Sequence, residues 1–363
     1  MKRRIVVNII FALLFVVTPQ KAFCDYVLGC LVGKYLKVYN MSEQGDISFD
    51  YEVYVAGNPD TLEFAPDGHW GLIGSHTTSY IHTQRTIVLE VEKNRTIRYA
   101  GYVHNELGKL ISITPDSRYG VYGGLLKTIR YLGNGNFNNI APPASEELYV
   151  AMYDSDFSSY NHNLIAMKSL KTVAEYTLLE DGRTTSTGVV MDISPAQGNH
   201  DLEITPDGRT CIIVDPTDYS ITVLRIYKGG GISISQQFNS ILFNPRQVDF
   251  TPDSKYAIIT SLHSRDPNIL SYRISWDSKL TEAGREHLPG FPGERMAVTP
   301  DGKFAVTREV ISGVSYFYVV RINEDGTLEY LPQKDFEEVG HVAGMDFLPP
   351  YKTSADEVWT EYK

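Results

Sequence analysis

The tetrapeptide Thr205-Pro206-Asp207-Gly208 returns along this chain at nearly equal intervals, and its spacing decides the fold. An identical copy is Thr299-Pro300-Asp301-Gly302, and close variants are Ala65-Pro66-Asp67-Gly68, Thr114-Pro115-Asp116-Ser117 and Thr251-Pro252-Asp253-Ser254. Asp346-Phe347-Leu348-Pro349 is a sixth, weaker relative. Successive prolines of the first five lie 49, 91, 46 and 48 residues apart, and the step of 91 is close to two steps with one worn copy between them. A fixed period of this length indicates a repeat architecture.

Each copy lies between two short apolar runs, such as Gln247–Thr251 and Tyr256–Thr260, which is typical of a strand, a tight turn and a strand. The proline presets one φ angle of the turn, the aspartate bonds back to the local backbone, and the glycine accepts positive φ. Two more strand-like runs follow in most copies, for example from Ile269 to Ile274. Four strands in about 45 residues are typical of a propeller blade. We therefore predict an all-β fold, a β-propeller of four-stranded antiparallel blades.

The two ends of the repeat region complement each other. The first segment holds only three predicted strands, Tyr26–Val32, Tyr35–Tyr39 and Ser48–Val55, and lacks the strand that should precede its first turn. The run His341–Leu348 near the other end matches the segment before every other turn. We predict that this C-terminal strand completes the first blade and closes the ring, which removes exposed sheet edges.

The number of blades follows from the length of the repeat region. From Asp25 to Pro349 there are 325 residues, which the single steps of 46 to 49 residues divide into seven blades. Six blades with one long insertion stay open as the alternative, because the turn signature is missing between residues 117 and 204. That stretch contains the Asn/Gly-rich run Tyr131–Asn139, followed by Ala141-Pro142-Pro143-Ala144.

The N-terminal residues have the pattern of an export signal. Lys2-Arg3-Arg4 precedes an apolar run from Ile5 to Val17, which is too short to span a bilayer. We expect residues 1–24 to be a cleaved signal peptide, residues 25–350 to form one propeller domain and residues 351–363 to be a polar tail. A lipid anchor on Cys24 is the competing interpretation. The expected location is the periplasm or the extracellular space.

Charge and cysteine content narrow the classes of partner. The chain carries a formal charge of −11, and loss of residues 1–24 removes four basic residues and leaves −15. Such acidity disfavours nucleic acids and anionic membrane surfaces as partners. Cys30 and Cys211 fall in separate predicted blades, so no disulfide framework is expected. We expect a monomer with no transmembrane helix in its mature form.

The loops that precede the first strand and follow the second strand of each blade meet at one mouth of the channel, which is the default binding site. Histidine can act there as a general base, and arginine can hold a carboxylate or phosphate. The alternative is that these side chains only bond loop carbonyls. The candidate residues are His76, His104, His200, His263, His341, Arg246, Arg295, Arg308, Asp201 and Asp215.

Acidic residues recur three positions before the turn proline. They are Glu63, Glu203, Asp249 and Asp346, whereas Ser112 and Ala297 occupy this position in two other copies. A ring of carboxylates suits a divalent cation such as calcium, although repeated residues also arise from shared packing, so no cofactor is certain. Asp154-Ser155-Asp156 resembles the start of a calcium loop, but it lacks the turn glycine and the distal glutamate, and we expect a surface loop there.

The repeat resembles the exported YVTN-type propellers and, more closely, the lactonase-type seven-bladed propellers. The stretches that carry this resemblance are Ile269–Ile274 with Lys279–Gly284, and Val319–Leu328 in the next blade. The resemblance extends over most of residues 26–349, where it consists of the shared repeat pattern. The family includes sugar-lactone hydrolases as well as proteins without an assigned activity, and it implies His200 and Arg246 as participants in catalysis.

Two functions remain open from the sequence. The first is an exported binding module that takes a small molecule, a glycan or an envelope protein at its channel mouth. The second is a lactone hydrolase, similar to 6-phosphogluconolactonases, in which a histidine activates water. The chain has no Gly-x-Ser-x-Gly elbow, His-Glu-x-x-His pair, phosphate loop or Cys-x-x-Cys pair, so the common hydrolase, zinc protease, nucleotide and redox classes lack their usual motifs.

Overall fold

The computed structural model describes residues 26–55, 59–75, 85–104, 111–123, 126–140, 155–193, 201–238, 244–261, 267–291 and 295–352. The predicted signal peptide, most of the predicted tail and the Ala141-Pro142-Pro143-Ala144 stretch lie outside these ranges. Within them the chain is almost entirely β-strand, with one short 3-10 turn at Pro332–Lys334. In these ranges no helix is long and apolar enough to cross a membrane.

The strands form seven sheets, which are the blades. Blade 1 contains β1 (Tyr26–Val32), β2 (Tyr35–Met41) and β3 (Ile47–Tyr54). Blade 2 contains β4 (Pro59–Phe64), β5 (Trp70–Ser75), β6 (Arg85–Val91) and β7 (Ile97–His104). Blade 3 contains β8 (Ile111–Ile113), β9 (Tyr119–Tyr122), β10 (Lys127–Gly133) and β11 (Asn136–Ile140). Blade 4 contains β12 (Ser155–Phe157), β13 (Asn163–Ser169), β14 (Thr172–Leu178) and β15 (Thr184–Asp192).

The last three blades follow the same plan. Blade 5 contains β16 (Asp201–Ile204), β17 (Thr210–Asp215), β18 (Ser220–Ile226) and β19 (Ile232–Phe238). Blade 6 contains β20 (Pro245–Phe250), β21 (Tyr256–Ser261), β22 (Ile269–Ile274) and β23 (Leu280–Glu286). Blade 7 contains β24 (Arg295–Val298), β25 (Phe304–Ile311), β26 (Val314–Ile322) and β27 (Leu328–Tyr330), and β28 (Phe336–Val339) also pairs with β26. The final strand, β29 (Val342–Leu348), joins blade 1 beside β1.

The ring closes as predicted. β29 pairs antiparallel with β1, with Gly29 opposite Asp346, and so provides the fourth strand of blade 1. The inner strands, which are β29, β4, β8, β12, β16, β20 and β24, each contact the inner strand of the next blade around the central channel. The seven-bladed prediction is confirmed, and the six-bladed alternative is wrong.

The repeated turn is held by its own side chains. In blade 5 the Thr205 hydroxyl donates to Asp207 Oδ1 (2.7 Å) and accepts the backbone N–H of Thr210 (3.1 Å). Gly208 has φ 73°, and a Cβ atom at this residue would overlap the backbone nitrogen of Tyr160 in blade 4. Glycine therefore serves both the positive φ and the close approach of the neighbouring blade.

The worn copy of the turn lies in blade 4, directly after β12. Ser158 N donates to Asn163 O (2.9 Å). The equivalent hydrogen bond in blade 5 runs from Thr205 N to Thr210 O. Here the left-handed residue is His162, with φ 60°. The expected surface loop at Asp154-Ser155-Asp156 is a wrong prediction, because Ser155 and Asp156 belong to the inner strand β12. Asp154 lies outside the described residues.

Apolar side chains fill the space between neighbouring blades. Trp70 of blade 2 is fully buried, stacks on Tyr131 of blade 3 at 5.1 Å between ring centroids, and donates to Ser117 O (2.8 Å). Cys30 of blade 1 and Cys211 of blade 5 are both buried, and among the described residues no disulfide joins the blades. Packing of this kind, rather than a disulfide, holds the blades together.

The closing blade has two additional attachments. On its outer side, Glu338 of β28 accepts hydrogen bonds from Lys37 Nζ (2.6 Å) and from the Tyr39 hydroxyl. After β29 the chain continues onto the turn of blade 2, where Lys352 N donates to Asp67 O (3.0 Å). Closure therefore connects blade 1 to both of its neighbours.

Removal of β29 should open the ring. Deletion of residues 340–363 takes away the inner strand of blade 1 and exposes the edge of β1, so we expect loss of cooperative unfolding or an insoluble protein. Thermal unfolding followed by circular dichroism tests this. Deletion of residues 353–363 alone keeps β29 and is the control. A soluble 340–363 deletion with an unchanged melting temperature would contradict the closure mechanism.

Candidate functional site at the channel mouth

The mouth of the channel lies where the inner strands begin. We define the charged quartet there as Asp60, Asp201, Arg246 and Arg295, which come from blades 2, 5, 6 and 7. Each residue is the first or second residue of an inner strand, so the strand positions its backbone and the side chain is partly buried. Three of the four were predicted as site residues, whereas Asp60 was not, because nothing in its local sequence distinguishes it from other loop aspartates.

Arg295 connects three blades. Its Nε donates to the carbonyl of Ala343 in blade 1, and its Nη2 lies 3.5 Å from Asp60 Oδ1 and 3.4 Å from the Asp60 carbonyl in blade 2. The side chains of Arg295 and Asp60 are 26% and 18% exposed. This guanidinium is therefore held in one orientation at the edge of the channel.

Asp201 lies close enough to both arginines to interact with them electrostatically. Its Oδ2 accepts the backbone N–H of Val248 from the next blade (2.8 Å). Burial raises the pKa of Asp201 to about 6, while the hydrogen bond from Val248 and the charges of Arg295 and Arg246 act in the opposite direction. A carboxyl group with this pKa is largely ionised at neutral pH and can still take up a proton.

Arg246 differs from Arg295 in its contacts. It is the second residue of β20 and is partly buried, and within the described residues it makes no hydrogen bond or ion pair. Its electrostatic partner is Asp201. A guanidinium carries five donors and suits bidentate binding of a carboxylate or phosphate. Among the described residues, Arg246 is thus the member of the quartet whose donors have no partner and can bind a ligand.

The structure places two other predicted residues inside the blades. Asp215 is 1% exposed and accepts the backbone N–H groups of Thr217 (2.7 Å) and Asp218 (3.4 Å), so it closes the turn after β17. Arg308 is also 1% exposed, and its positive charge acts on the buried Cys30 of blade 1. Both residues belong to the packing around the mouth rather than to its surface.

The structure describes the positions of two of the five histidines that were predicted to line the channel mouth. His76, His200 and His263 lie outside the described residues. The backbone of His104 ends the outer strand β7, opposite Arg85, rather than a loop beside the channel. His341 is exposed and directly precedes β29. The described residues therefore do not bring the predicted histidine cluster together, and the prediction for the other three stays a prediction.

The repeated acidic position links the blades. A carboxylate on one inner strand accepts a backbone N–H from the inner strand of the next blade. These pairs are Asp346 with Phe64 (2.9 Å), Glu63 with Ile113 (2.8 Å), Asp156 with Ile204 (2.8 Å) and Asp249 with Val298 (2.7 Å). Asp156 was not predicted as a member of this set, because the turn of blade 4 lacks the Thr-Pro-Asp signature that marks the position in the other blades.

The hydrogen bonds from backbone amides occupy carboxylates that were predicted to bind calcium. The predicted calcium ligands are Glu63, Glu203, Asp249 and Asp346. Their oxygens are directed to backbone amides in three of the four cases. In the part of the chain that the structure describes, no group of three His, Cys, Asp or Glu side chains could hold a metal ion. The donor set therefore does not fit a divalent cation at this position.

The linking carboxylates are partly buried, and their removal from bulk water changes the ionisation of three of them. Burial is the main cause that raises the pKa of Asp156 and Asp249 to about 7 and that of Asp346 to about 8. The charge of Asp249 further raises the pKa of the other two. The centre of the propeller thus takes up protons near neutral pH.

Comparison with solved structures identifies the architecture, while no protein-family model and no curated protein matches the sequence. A periplasmic gluconolactonase of Pseudomonas aeruginosa aligns with a TM-score of 0.70 and 16% identity over 89% of this chain and 99% of that protein. A Bacteroides fragilis protein provisionally named 6-phosphogluconolactonase aligns with a TM-score of 0.71 and 13% identity over 91% and 99%. This chain has the fold of the lactonase-type propellers.

A third structure agrees with this result. A Bacteroides uniformis protein, also provisionally named 6-phosphogluconolactonase, aligns with a TM-score of 0.70 and 15% identity over 89% of this chain and 99% of its own. At such low sequence identities, the similarity to the lactonase-type propellers shows a shared fold. The function depends on the side chains at the channel mouth.

The Asp346→Asn variant tests the ionisation of the linking carboxylates. In the unfolded chain the pKa of an aspartate is about 3.9, so the folded protein binds more protons between about pH 4 and pH 8, and its stability falls as pH rises through this window. Asparagine can accept the same amide but cannot ionise. We expect the variant to gain stability relative to wild type from pH 5 to pH 8, by at most about 1.4 kcal/mol per pH unit.

Urea unfolding at pH 5, 6, 7 and 8 measures this difference. The control is Asp181→Asn, because Asp181 is an exposed turn residue whose pKa is lowered by Arg183, so it titrates below this window. The control should follow the wild-type pH dependence. An Asp346→Asn profile parallel to that of wild type would contradict the raised pKa.

Proposed function

We propose that the channel mouth binds a small ligand that carries a carboxylate or phosphate group together with hydroxyl groups. The observation that supports this most directly is the guanidinium of Arg246, which has no hydrogen-bond partner among the described residues although it is partly buried beside Asp201. A charged donor in such surroundings binds an anion more strongly than the same group in open water.

The rest of the quartet favours hydroxyl groups on the same ligand. Asp60 and Asp201 are acceptors on either side of the arginines, and a simple anion would be repelled by them. Hydroxyl groups can donate to these carboxylates while the anionic group faces Arg246. A polyhydroxy acid therefore matches the charge pattern better than an acid without hydroxyl groups.

The setting of this binding function is part of the proposal. The basic and apolar residues of the N-terminal segment support export, to the periplasm or the extracellular space. There the protein would act as a monomeric binding module, for a small molecule or for the same groups on a glycan or an envelope protein.

Substitution of Arg246 tests the binding proposal. We expect Arg246→Gln to weaken the binding of 6-phosphogluconate or gluconate by about tenfold or more, because it removes the charge-assisted donors. Isothermal titration calorimetry measures this. The control is Arg98→Gln, since Arg98 is an exposed residue of the outer strand β7 that pairs with Glu92. Equal affinity of wild type and Arg246→Gln, or no binding of either acid to wild type, would contradict the proposal.

A second function, lactone hydrolysis, is favoured by the ionisation of Asp201. With a pKa of about 6, its carboxylate is a suitable general base near neutral pH. In this reaction the oxygen of a water molecule adds to the lactone carbonyl carbon while Asp201 takes the proton. The ring C–O bond then breaks, and the leaving oxygen takes up a proton to give the hydroxy acid. Arg246 and Arg295 would stabilise the oxyanion.

Hydrolysis of a panel of sugar and acyl lactones, followed at constant pH, tests this second function. We expect Asp201→Asn to lower kcat/KM by about a hundredfold or more, and the wild-type kcat/KM to rise with pH through about 6, because the base must be ionised. His200→Ala serves as the comparison, since the family resemblance implies His200 as the base. Loss of activity in His200→Ala with full activity in Asp201→Asn would reject Asp201, and no turnover above the spontaneous rate would reject hydrolysis altogether.

A further inference from the structure

An exposed tryptophan lies at the opposite end of the propeller from the channel mouth. Trp276 follows β22 in blade 6, at the end of the blade where the Thr-Pro-Asp turns lie, and it is 79% exposed. An indole ring buries a large apolar area when it is covered, and an isolated exposed indole is common at binding surfaces. Its surroundings show what could cover it.

The turn that carries Trp276 is fixed to blade 5. The hydroxyl of Ser235 donates to the carbonyl of Asp277 (2.8 Å), and the hydroxyl of Thr210 donates to Ser278 Oγ (2.8 Å). Within the turn, Lys279 N donates to Ser275 Oγ (2.9 Å). The backbone beneath the indole is therefore held on both sides, so the exposed ring is presented at a defined place.

A small polar pocket adjoins the indole, in the groove between blades 5 and 6. Its volume is about 80 Å³, and Trp276 forms one wall. About 10–15 Å³ of a cavity measured in this way holds one water molecule, so the pocket has room for a carboxylate-sized group. The pocket is thus a place for a substituent of a ligand whose ring lies outside it.

Two hydrogen-bond donors face this pocket. Ser254 Oγ accepts the backbone N–H of Asp207 (2.9 Å), and its own proton has no acceptor among the described residues. Arg209 lines the pocket. Its guanidinium carbon lies 5.2 Å from the ring centroid of Tyr160, and its Nε lies 3.7 Å from Asp207 Oδ2. Its terminal nitrogens are available for an anionic group.

A second arginine gives the surface beside the indole a positive charge. The guanidinium carbon of Arg225 lies 5.3 Å from the Trp276 ring and 5.5 Å from the Tyr227 ring. A cationic ligand would be repelled by Arg209 and Arg225. An aromatic ring flanked by two guanidinium groups and by hydroxyls instead suits a neutral or anionic ligand with one apolar ring face.

We propose that this surface binds an acidic saccharide. The C–H face of a uronic acid ring stacks on the Trp276 indole, and the ring carboxylate enters the pocket to accept hydrogen bonds from Arg209 and Ser254. Hydroxyl groups of the ring can donate to Asp207 at the rim. This site is separate from the channel mouth, and its occupant is a carbohydrate polymer or its fragments rather than the small ligand proposed there.

Calorimetric titration of the full mature chain with trigalacturonate tests the proposal. We expect binding to wild type, and about tenfold weaker binding to Trp276→Ala and to Arg209→Gln. Trp276→Phe should retain part of the affinity, because it keeps an aromatic face. The control is Tyr54→Ala, which removes an exposed aromatic side chain from the outer strand of blade 1. Because Trp276 is exposed, the melting temperature of its variants should stay close to that of wild type.

Two further probes separate the chemical requirements. The methyl ester of trigalacturonate keeps the ring faces but lacks the charge, and triglutamate keeps the charge but lacks the rings. Weak binding of both supports the proposal. Equal binding of the ester and the free acid, equal binding of triglutamate, or no binding of trigalacturonate would overturn it. Binding of trigalacturonate that Arg246→Gln weakens as much as Trp276→Ala does would place the trisaccharide at the channel mouth and overturn the proposal.

Discussion

The structure depends on the hydrogen bond between a partly buried carboxylate on one inner strand and a backbone amide on the next. The inner strands of different blades do not form a common sheet, so their amides at the channel need acceptors from side chains. Asp346, Glu63, Asp156 and Asp249 provide them across four of the blade junctions. Since β29 carries Asp346, closure of blade 1 also completes this set.

The same carboxylates make the centre of the molecule responsive to pH. A carboxyl group that is buried among other carboxyl groups is easier to protonate, and the raised pKa values of Asp249 and Asp346 follow from this. Either protonation state can accept the amide hydrogen. The recurrence of an acidic residue at this position in the repeats is therefore compatible with a purely structural role, without a metal ion.

The two ends of the propeller differ in chemistry. At the mouth, Arg246 and Arg295 lie between two carboxylates that come from other blades, an arrangement that suits a small polyhydroxy acid. At the turn end, Trp276 and Arg209 flank a small pocket between blades 5 and 6. Because the length of the blades separates the two surfaces, each can be altered without direct contact with the other.

The sequence by itself determined the fold of this protein. The Thr-Pro-Asp-Gly turns act within a few residues, so their period revealed the strands, the seven blades and the closing role of β29. Only the tertiary structure decided the site: Arg295 meets Asp60 across 235 residues, and no local pattern encodes that contact. It also decided that the acidic position binds amides, because a carboxylate has the same sequence signature whether it faces a cation or a backbone N–H. The mouth arginines were foreseen, but their partners depend on the ring being closed.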